Sequence, residues 1–102
     1  MPPPGWTNPI TAAAGRRQRG VDPLALLPSR PDLIKARLDF QRQLIVSGIA
    51  RHSPIQVTTQ GVIFDGHHAV RAAAEEGRRI DVLVIAFPQT ASGDSILDLP
   101  VV

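Results

Sequence analysis

The residues with the most chemical potential lie in one short stretch, Asp65-Gly66-His67-His68, followed three positions later by Arg71. Imidazoles titrate near neutral pH, so they can donate, accept or transfer a proton. A glycine turn that begins a helix leaves free backbone N–H groups at the positive end of the helix dipole, which favours a phosphate. The pattern therefore predicts a phosphate site formed by Gly66, His67, His68 and Arg71. Asp65, His67 and His68 are the predicted catalytic residues.

The same residues also have structural interpretations. Asp65-Gly66 is a common strand-to-helix turn, in which one histidine caps the helix or fills a gap. Arg71 lies four positions before Glu75 and is spaced to form an ion pair with it on a helix. The residues alone leave both interpretations open.

A metal site is a separate interpretation. Asp65, His67, His68 and His52 are all chemically able to bind a metal. Adjacent histidines, however, point in different directions, and helical ligands normally lie three or four residues apart. We therefore expect no metal ligands here.

The neighbouring residues predict the elements that position this stretch. Residues 62–64 are β-branched or aromatic and suit a strand, and Ala69 to Glu76 favours a helix that Gly77 ends. Helical periodicity also extends from Asp32 to Ser47, with Ser29 as its expected cap. The other predicted elements are an edge strand at 21–27, strands at 54–59 and 61–64, and a central strand at 80–87.

These elements run in the order β-α-β-β-α-β, which predicts an α+β domain with a mixed sheet and packed helices. We expect residues 1–20 to be a flexible, Pro-rich and basic segment and residues 21–87 to form the domain. Residues 88–102 are expected to be a tail that forms an edge strand, docks on the domain or lies at an interface. An apolar tail could complete so small a core.

Charge and composition narrow the function classes. Residues 1–20 carry three arginines and no acid, whereas residues 21–102 carry eight basic and nine acidic residues. The expected domain is therefore near neutral, which argues against electrostatic binding of nucleic acid across a basic face of the domain. The chain has no cysteine, which excludes a thiol nucleophile. No apolar run approaches a membrane span and no signal peptide is evident, so we expect a cytoplasmic protein without a membrane partner.

The stretch from Asp65 to Ala73 resembles the signature of the ParB N-terminal / sulfiredoxin-like domain family, in the branch that carries Asp-Gly-His-His. Upstream, Ser47-Gly48-Ile49 and residues 54–57 resemble the family's lead-in, and Gly77 and residues 82–85 match downstream. The resemblance covers about residues 21 to 87. It implies a nucleotide ligand, ATP or CTP with accompanying Mg²⁺, and phosphoryl transfer or nuclease-type hydrolysis of phosphodiesters or nucleoside triphosphates.

The sequence also departs from the family pattern. Ala69 stands where the family usually has a phosphate-binding arginine, and His67 stands at the sulfiredoxin cysteine, which excludes that chemistry. The catalytic glutamate of serine kinases is not evident; Ser29-Arg30 lies in that area, with Asp32 the nearest carboxylate. The 102 residues leave no room for the DNA-reading and dimerisation domains of ParB, so centromere binding is not expected.

Three functions follow as hypotheses. The first is binding of a phosphate-bearing ligand at the Asp65–His68 turn, with or without catalysis. The second is a non-catalytic interaction module, for example a homo-oligomer, that retains the fold with a degraded site. The third is a DNA-associated accessory that uses Arg16, Arg17 and Arg19.

Overall fold

The computed structural model describes residues 2–50 and 53–102, and these residues form the α+β fold that the sequence predicts. The order of elements, β-α-β-β-α-β, is confirmed. The elements are β1 (Arg17–Val21), α1 (Lys35–Ser47), β2 (Ile55–Thr58), β3 (Ile63–Asp65), α2 (His67–Glu75) and β4 (Ile80–Ile85), with 3₁₀ turns at Pro23–Ala25 and Ile96–Asp98.

The four strands form one mixed sheet in the order β1-β4-β2-β3. Strand β4 is central, antiparallel to β1 and parallel to β2, and β2 is antiparallel to β3. Val82 and Val84 of β4 alternate with more exposed neighbours, so one face of the sheet is buried, and Val57 of β2 is buried beside them. These valines join Val70 and Ala74 of α2 in the core, which fixes α2 and the turn before it against the sheet.

The predicted edge strand at 21–27 is wrong, because the strand ends at Val21. Asp22 caps a 3₁₀ turn by accepting a hydrogen bond from the Leu24 N–H, and Pro23 cannot donate to a ladder. Helix α1 likewise begins at Lys35 rather than 32, because Leu33 is extended and pairs with Val101.

Residues 6–20 contact the domain and supply most of its first strand, so the predicted domain boundary at residue 21 is wrong. The Trp6 indole N–H donates to the Ala25 carbonyl at 2.7 Å, and the Asn8 side chain donates to the Thr59 carbonyl at 2.9 Å. Ile10 is buried in the core, and Arg17 to Gly20 belong to β1. The partners are distant in sequence, so local composition does not reveal them.

The C-terminal residues dock on the domain. Ile96 and Leu99 are buried. The Leu33 N–H donates to the Pro100 carbonyl at 2.9 Å, and the Val102 N–H donates to the Leu33 carbonyl at 2.8 Å. The tail therefore supports the segment that leads into α1. Among the described residues, no helix has the length and apolar character needed to cross a membrane.

Gly61 should report on the packing of the N-terminal segment. Its φ is +81°, and a Cβ there would lie 2.5 Å from Asn8 Oδ1 and 3.1 Å from the Trp6 ring. We expect Gly61→Ala to lower the free energy of unfolding by about 2–4 kcal/mol, from left-handed strain plus steric conflict. Gly77→Ala is the matched control, because Gly77 has φ +64° with open space around it, and should cost only about 1–2 kcal/mol. Urea denaturation measures both, and equal costs would contradict the packing of Trp6 and Asn8 on Gly61.

Candidate functional site

A cleft of about 570 Å³ opens where β3 turns into α2. Asp65, Gly66, His67 and His68 all line it. The other lining residues come from β3 and α2, from the segment before α1, from α1 itself and from the chain after β4: Phe64, Ala69, Ser29, Arg30, Ala36, Arg37, Phe40, Gln41 and Gln89.

The N-terminus of α2 forms one end of the cleft. Gly66 takes a φ of 99°, which only glycine adopts readily, and no side chain caps the helix. The first intrahelical bond at this end runs from the Val70 N–H to the Gly66 carbonyl at 3.0 Å. The N–H groups of His67, His68 and Ala69 therefore have no partner within the helix and carry the positive end of its dipole.

The His67 ring is buried and holds the segment before α1. Its Nε2 accepts a hydrogen bond from the Ser29 N–H at 3.0 Å. A backbone amide can only donate, so Nε2 carries no proton and the neutral ring is protonated at Nδ1. The Ser29 hydroxyl lies 3.2 Å from Nε2 but donates to the Ile63 carbonyl. Ser29 and His67 therefore do not form an activated nucleophile pair.

The His68 ring does the same at the other end of that segment. Its Nε2 accepts a hydrogen bond from the Ile34 N–H at 3.0 Å, so its proton also resides on Nδ1. This bond caps the start of α1, where the Ile34 side chain has no polar atom. The expectation that Ser29 caps α1 is wrong, because Ile34 occupies the N-cap position and the Ser29 hydroxyl donates to the Ile63 carbonyl.

Both rings are neutral at pH 7. Burial lowers the pKa of His67 to about 4, assisted by the charge of Arg30 and opposed by Asp65. Burial also lowers the pKa of His68, assisted by Arg30 and Arg37. A ring whose Nε2 already accepts an amide and whose Nδ1 is protonated has no lone pair for general-base catalysis. Each neutral ring therefore keeps only its Nδ1–H as a donor.

Arg71 does not line the cleft, which corrects its prediction as a phosphate ligand. Its Nη1 donates to the carbonyls of Ile96 and Leu99 at 3.1 and 3.0 Å, and its Nε donates to Glu75 at 2.8 Å. The structural interpretation, an ion pair with Glu75 at i, i+4, is the one observed. Arg71 fastens the C-terminal tail to α2.

Two arginines that were not selected from the sequence line the cleft instead. Arg30 is held by its own turn, with Nε donating to the Asp32 carbonyl at 2.6 Å. Arg37 lies on α1 one turn before Phe40 and Gln41, which also line the cleft. The spacing 37, 40, 41 was a usable signal, because residues three and four apart share a helix face. The Arg37 side chain is exposed at the cleft mouth.

Aromatic side chains form the outer wall of the cleft. Phe40 and Phe64 are 55% and 39% exposed. The Phe64 ring lies 5.5 Å from the ring of Phe87, centroid to centroid. These side chains are apolar and accessible.

Residues 2–50 and 53–102 contain no group of three His, Cys, Asp or Glu side chains placed to hold a metal. His52, weighed above as a ligand, lies outside the described residues.

Comparisons with protein-family models, with curated proteins and with solved structures found no match. The similarity to the ParB N-terminal / sulfiredoxin-like family therefore stays a prediction from residues 21–87.

His67 should make stability fall in mild acid. Its pKa is about 4 in the folded chain against 6.5 ordinarily, so the unfolded chain binds the proton more readily. The neutral His67 ring contributes fully to the free energy of unfolding above pH 6.5. That contribution is lost as the pH falls towards 4, and the total loss is about 3 kcal/mol. Urea denaturation between pH 4 and 7.5 measures this loss.

The control for this pH dependence is His67→Gln, whose amide oxygen can accept the Ser29 N–H without titrating. Carboxylates titrate alike in both proteins, so the difference between the two curves isolates the imidazole. Parallel curves would contradict the buried neutral state of His67.

Arg71 should act on stability. Arg71→Lys replaces the guanidinium by a single ammonium, which cannot reach the Glu75 carboxylate and both tail carbonyls together. The carbonyls of Ile96 and Leu99 then lose their donor, and we expect the free energy of unfolding to fall by about 1–3 kcal/mol. Arg42→Lys is the matched control, because Arg42 is 38% exposed and pairs with Asp39 and Glu75 at the surface. It should cost less than about 1 kcal/mol. Urea denaturation compares them, and a smaller loss in Arg71→Lys than in Arg42→Lys would refute the fastening role.

Proposed function

We propose that the cleft at Asp65–His68 binds a phosphate-bearing ligand. The observation that carries this proposal is the locked state of the two imidazoles. Each Nε2 accepts a backbone amide, so each ring can offer only an Nδ1–H donor. No hydrogen bond from either Nδ1 to the described residues is found. Donors without protein acceptors, beside the free amides of α2, suit an oxyanion.

The charges of the lining residues support the same ligand class. Arg30 and Arg37 line the cleft, and Asp65 is the single carboxylate in its lining. Asp32, which does not line the cleft, lies 3.8 Å from Arg30 Nη2 and offsets part of its charge. Burial lowers the pKa of both imidazoles, so the neutral ring is the form that donates to the ligand. Arg30 takes the place of the missing arginine at position 69, because a guanidinium can grip a phosphate from either side of the turn.

The aromatic wall supports a nucleotide as the ligand. Phe40 and Phe64 offer flat apolar surfaces beside the cationic end, and bases stack readily on such rings. Gln89 adds an amide that can both donate and accept. The family resemblance implies ATP or CTP with Mg²⁺, and Asp65 is the lining residue suited to hold the cation.

Catalysis, where it occurs, rests on Asp65 and not on the imidazoles. An exposed carboxylate can accept a proton or hold Mg²⁺ for phosphoryl transfer or phosphodiester hydrolysis. The second candidate is a non-catalytic module. Two observations favour it. The Nε2 atoms of His67 and His68 both accept hydrogen bonds from backbone amides, and Ala69 stands where the family has an arginine.

Titration of ¹⁵N-labelled protein with ATP, CTP and inorganic phosphate tests the binding. We expect amide shifts at Gly66 to Ala69 at low millimolar ligand. Arg30→Gln and Arg37→Gln should each weaken binding roughly three- to tenfold, because each removes a charge-assisted contact. Arg19→Gln is the control, since Arg19 is exposed on β1 and does not line the cleft. Unperturbed Gly66–Ala69 amides at millimolar ligand would refute the proposal.

Hydrolysis assays with the bound nucleotide and with oligonucleotides then separate the two candidates. An enzyme should lose turnover in Asp65→Asn while it keeps its affinity within about threefold, because the carboxylate is asked to act on a proton or cation. Ligand binding without turnover in the unmodified chain would identify the non-catalytic module.

A further inference from the structure

A second cavity, of about 380 Å³, lies between the C-terminal half of α1, helix α2 and the start of β4. We call it the alanine groove. Ala69 and Ala73 lie one turn apart on α2 and both face it, so their small side chains leave the space open. The groove adjoins the cleft at Asp65–His68, because Ala69 and Gln41 line both cavities.

The inner surface of the alanine groove is apolar. Its floor comes from the sheet and one wall from α1; the residues are Ile55, Val82, Leu44 and Ile45. Ile55 and Val82 are buried, whereas Leu44 and Ile45 are only half-buried. Apolar side chains of α1 are thus left partly in water beside a concave surface, which favours an apolar occupant.

The rim of the groove is positively charged. Arg17, Arg78 and Arg79 line it, against the single carboxylate of Asp81. The Gly20 backbone pairs with both Asp81 and Arg79. The Gly20 N–H donates to the Asp81 carboxylate at 3.2 Å, and the Arg79 guanidinium donates to the Gly20 carbonyl at 3.1 Å. Within the described part of the chain, no carboxylate lies within 4.0 Å of the guanidinium of Arg17 or Arg78. Each of these two guanidinium groups can therefore pair with the acidic group of a ligand.

We propose that the alanine groove binds an amphipathic acid, a small molecule with an apolar body and one anionic head. The body lies against Leu44 and Ile45 of α1 and Ala73 of α2, above the floor formed by Ile55 and Val82, and the head meets Arg17 and Arg78. The volume is at the small end of ligand cavities, which suits a small molecule better than a helix or peptide. Ala50 and Ser53 also line the groove, and Arg51 and His52 between them lie outside the described residues.

Two probes of equal chain length and opposite charge test this site: sodium decanoate and decyltrimethylammonium bromide, each below its critical micelle concentration. We expect decanoate to shift the amides of Ile55, Ala73 and Val82 in ¹⁵N-labelled full chain and to bind at least several-fold more tightly than the cation. Shifts that are absent, spread over the whole surface or equal for both probes would overturn the proposal.

Variants locate the two halves of the ligand. Ala73→Leu fills the groove and should abolish the decanoate shifts, whereas a folded Ala73→Leu that binds like the unmodified chain would overturn the site.

Arg17→Gln and Arg78→Gln should each lower the affinity for decanoate about two- to fivefold, as expected for one exposed charge pair, and should not lower the affinity for the cationic probe. Arg19→Gln is the matched control and should change neither probe. The arginines are exposed, so their substitution tests the head contact even where Ala73→Leu fails to fold. Decanoate affinity that is equal in all three arginine variants would refute the proposed head contact.

Discussion

Two hydrogen bonds, from the Ser29 N–H to His67 Nε2 and from the Ile34 N–H to His68 Nε2, determine much of the rest of this structure. They attach both ends of residues 29–34 to the first turn of α2. Burying an imidazole has a cost, and a hydrogen bond to a backbone donor offsets it while satisfying an amide at the start of α1. Because an amide cannot accept, the same bonds decide which ring nitrogen holds the proton.

The segment that these histidines hold is supported on its other side by the C-terminal tail. The Ser92 N–H donates to the Pro28 carbonyl at 2.8 Å, and the Ser92 hydroxyl donates to the Arg30 carbonyl at 2.7 Å. Leu33 pairs with Pro100 and Val102. One wall of the cleft is therefore built from three parts of the chain, and the position of Arg30 depends on all of them.

Charged side chains outside the cleft reinforce this arrangement. Glu75 accepts from Arg71 on its own helix and from Arg42 on α1, and Arg42 also pairs with Asp39. Both arginines lower the pKa of Glu75, with Arg42 the larger influence, so the carboxylate stays ionised. Arg71 extends the network to the tail. The arginine of the motif thus stabilises the frame of the site, while arginines outside the motif supply the charge at its mouth.

The sequence by itself determined the order of the elements and the place of the turn. Apolar alternation at residues 55–57, the apolar run at 80–85 and the Asp65-Gly66 pair are local patterns, and local patterns decide local conformation. The same residues could not show that His67 and His68 are acceptors for Ser29 and Ile34, which lie 38 and 34 positions away. Nor could spacing distinguish a cleft arginine from one bonded to tail carbonyls. Which atoms meet across such separations depends on how the helices, sheet and termini pack, and only the tertiary structure decides that.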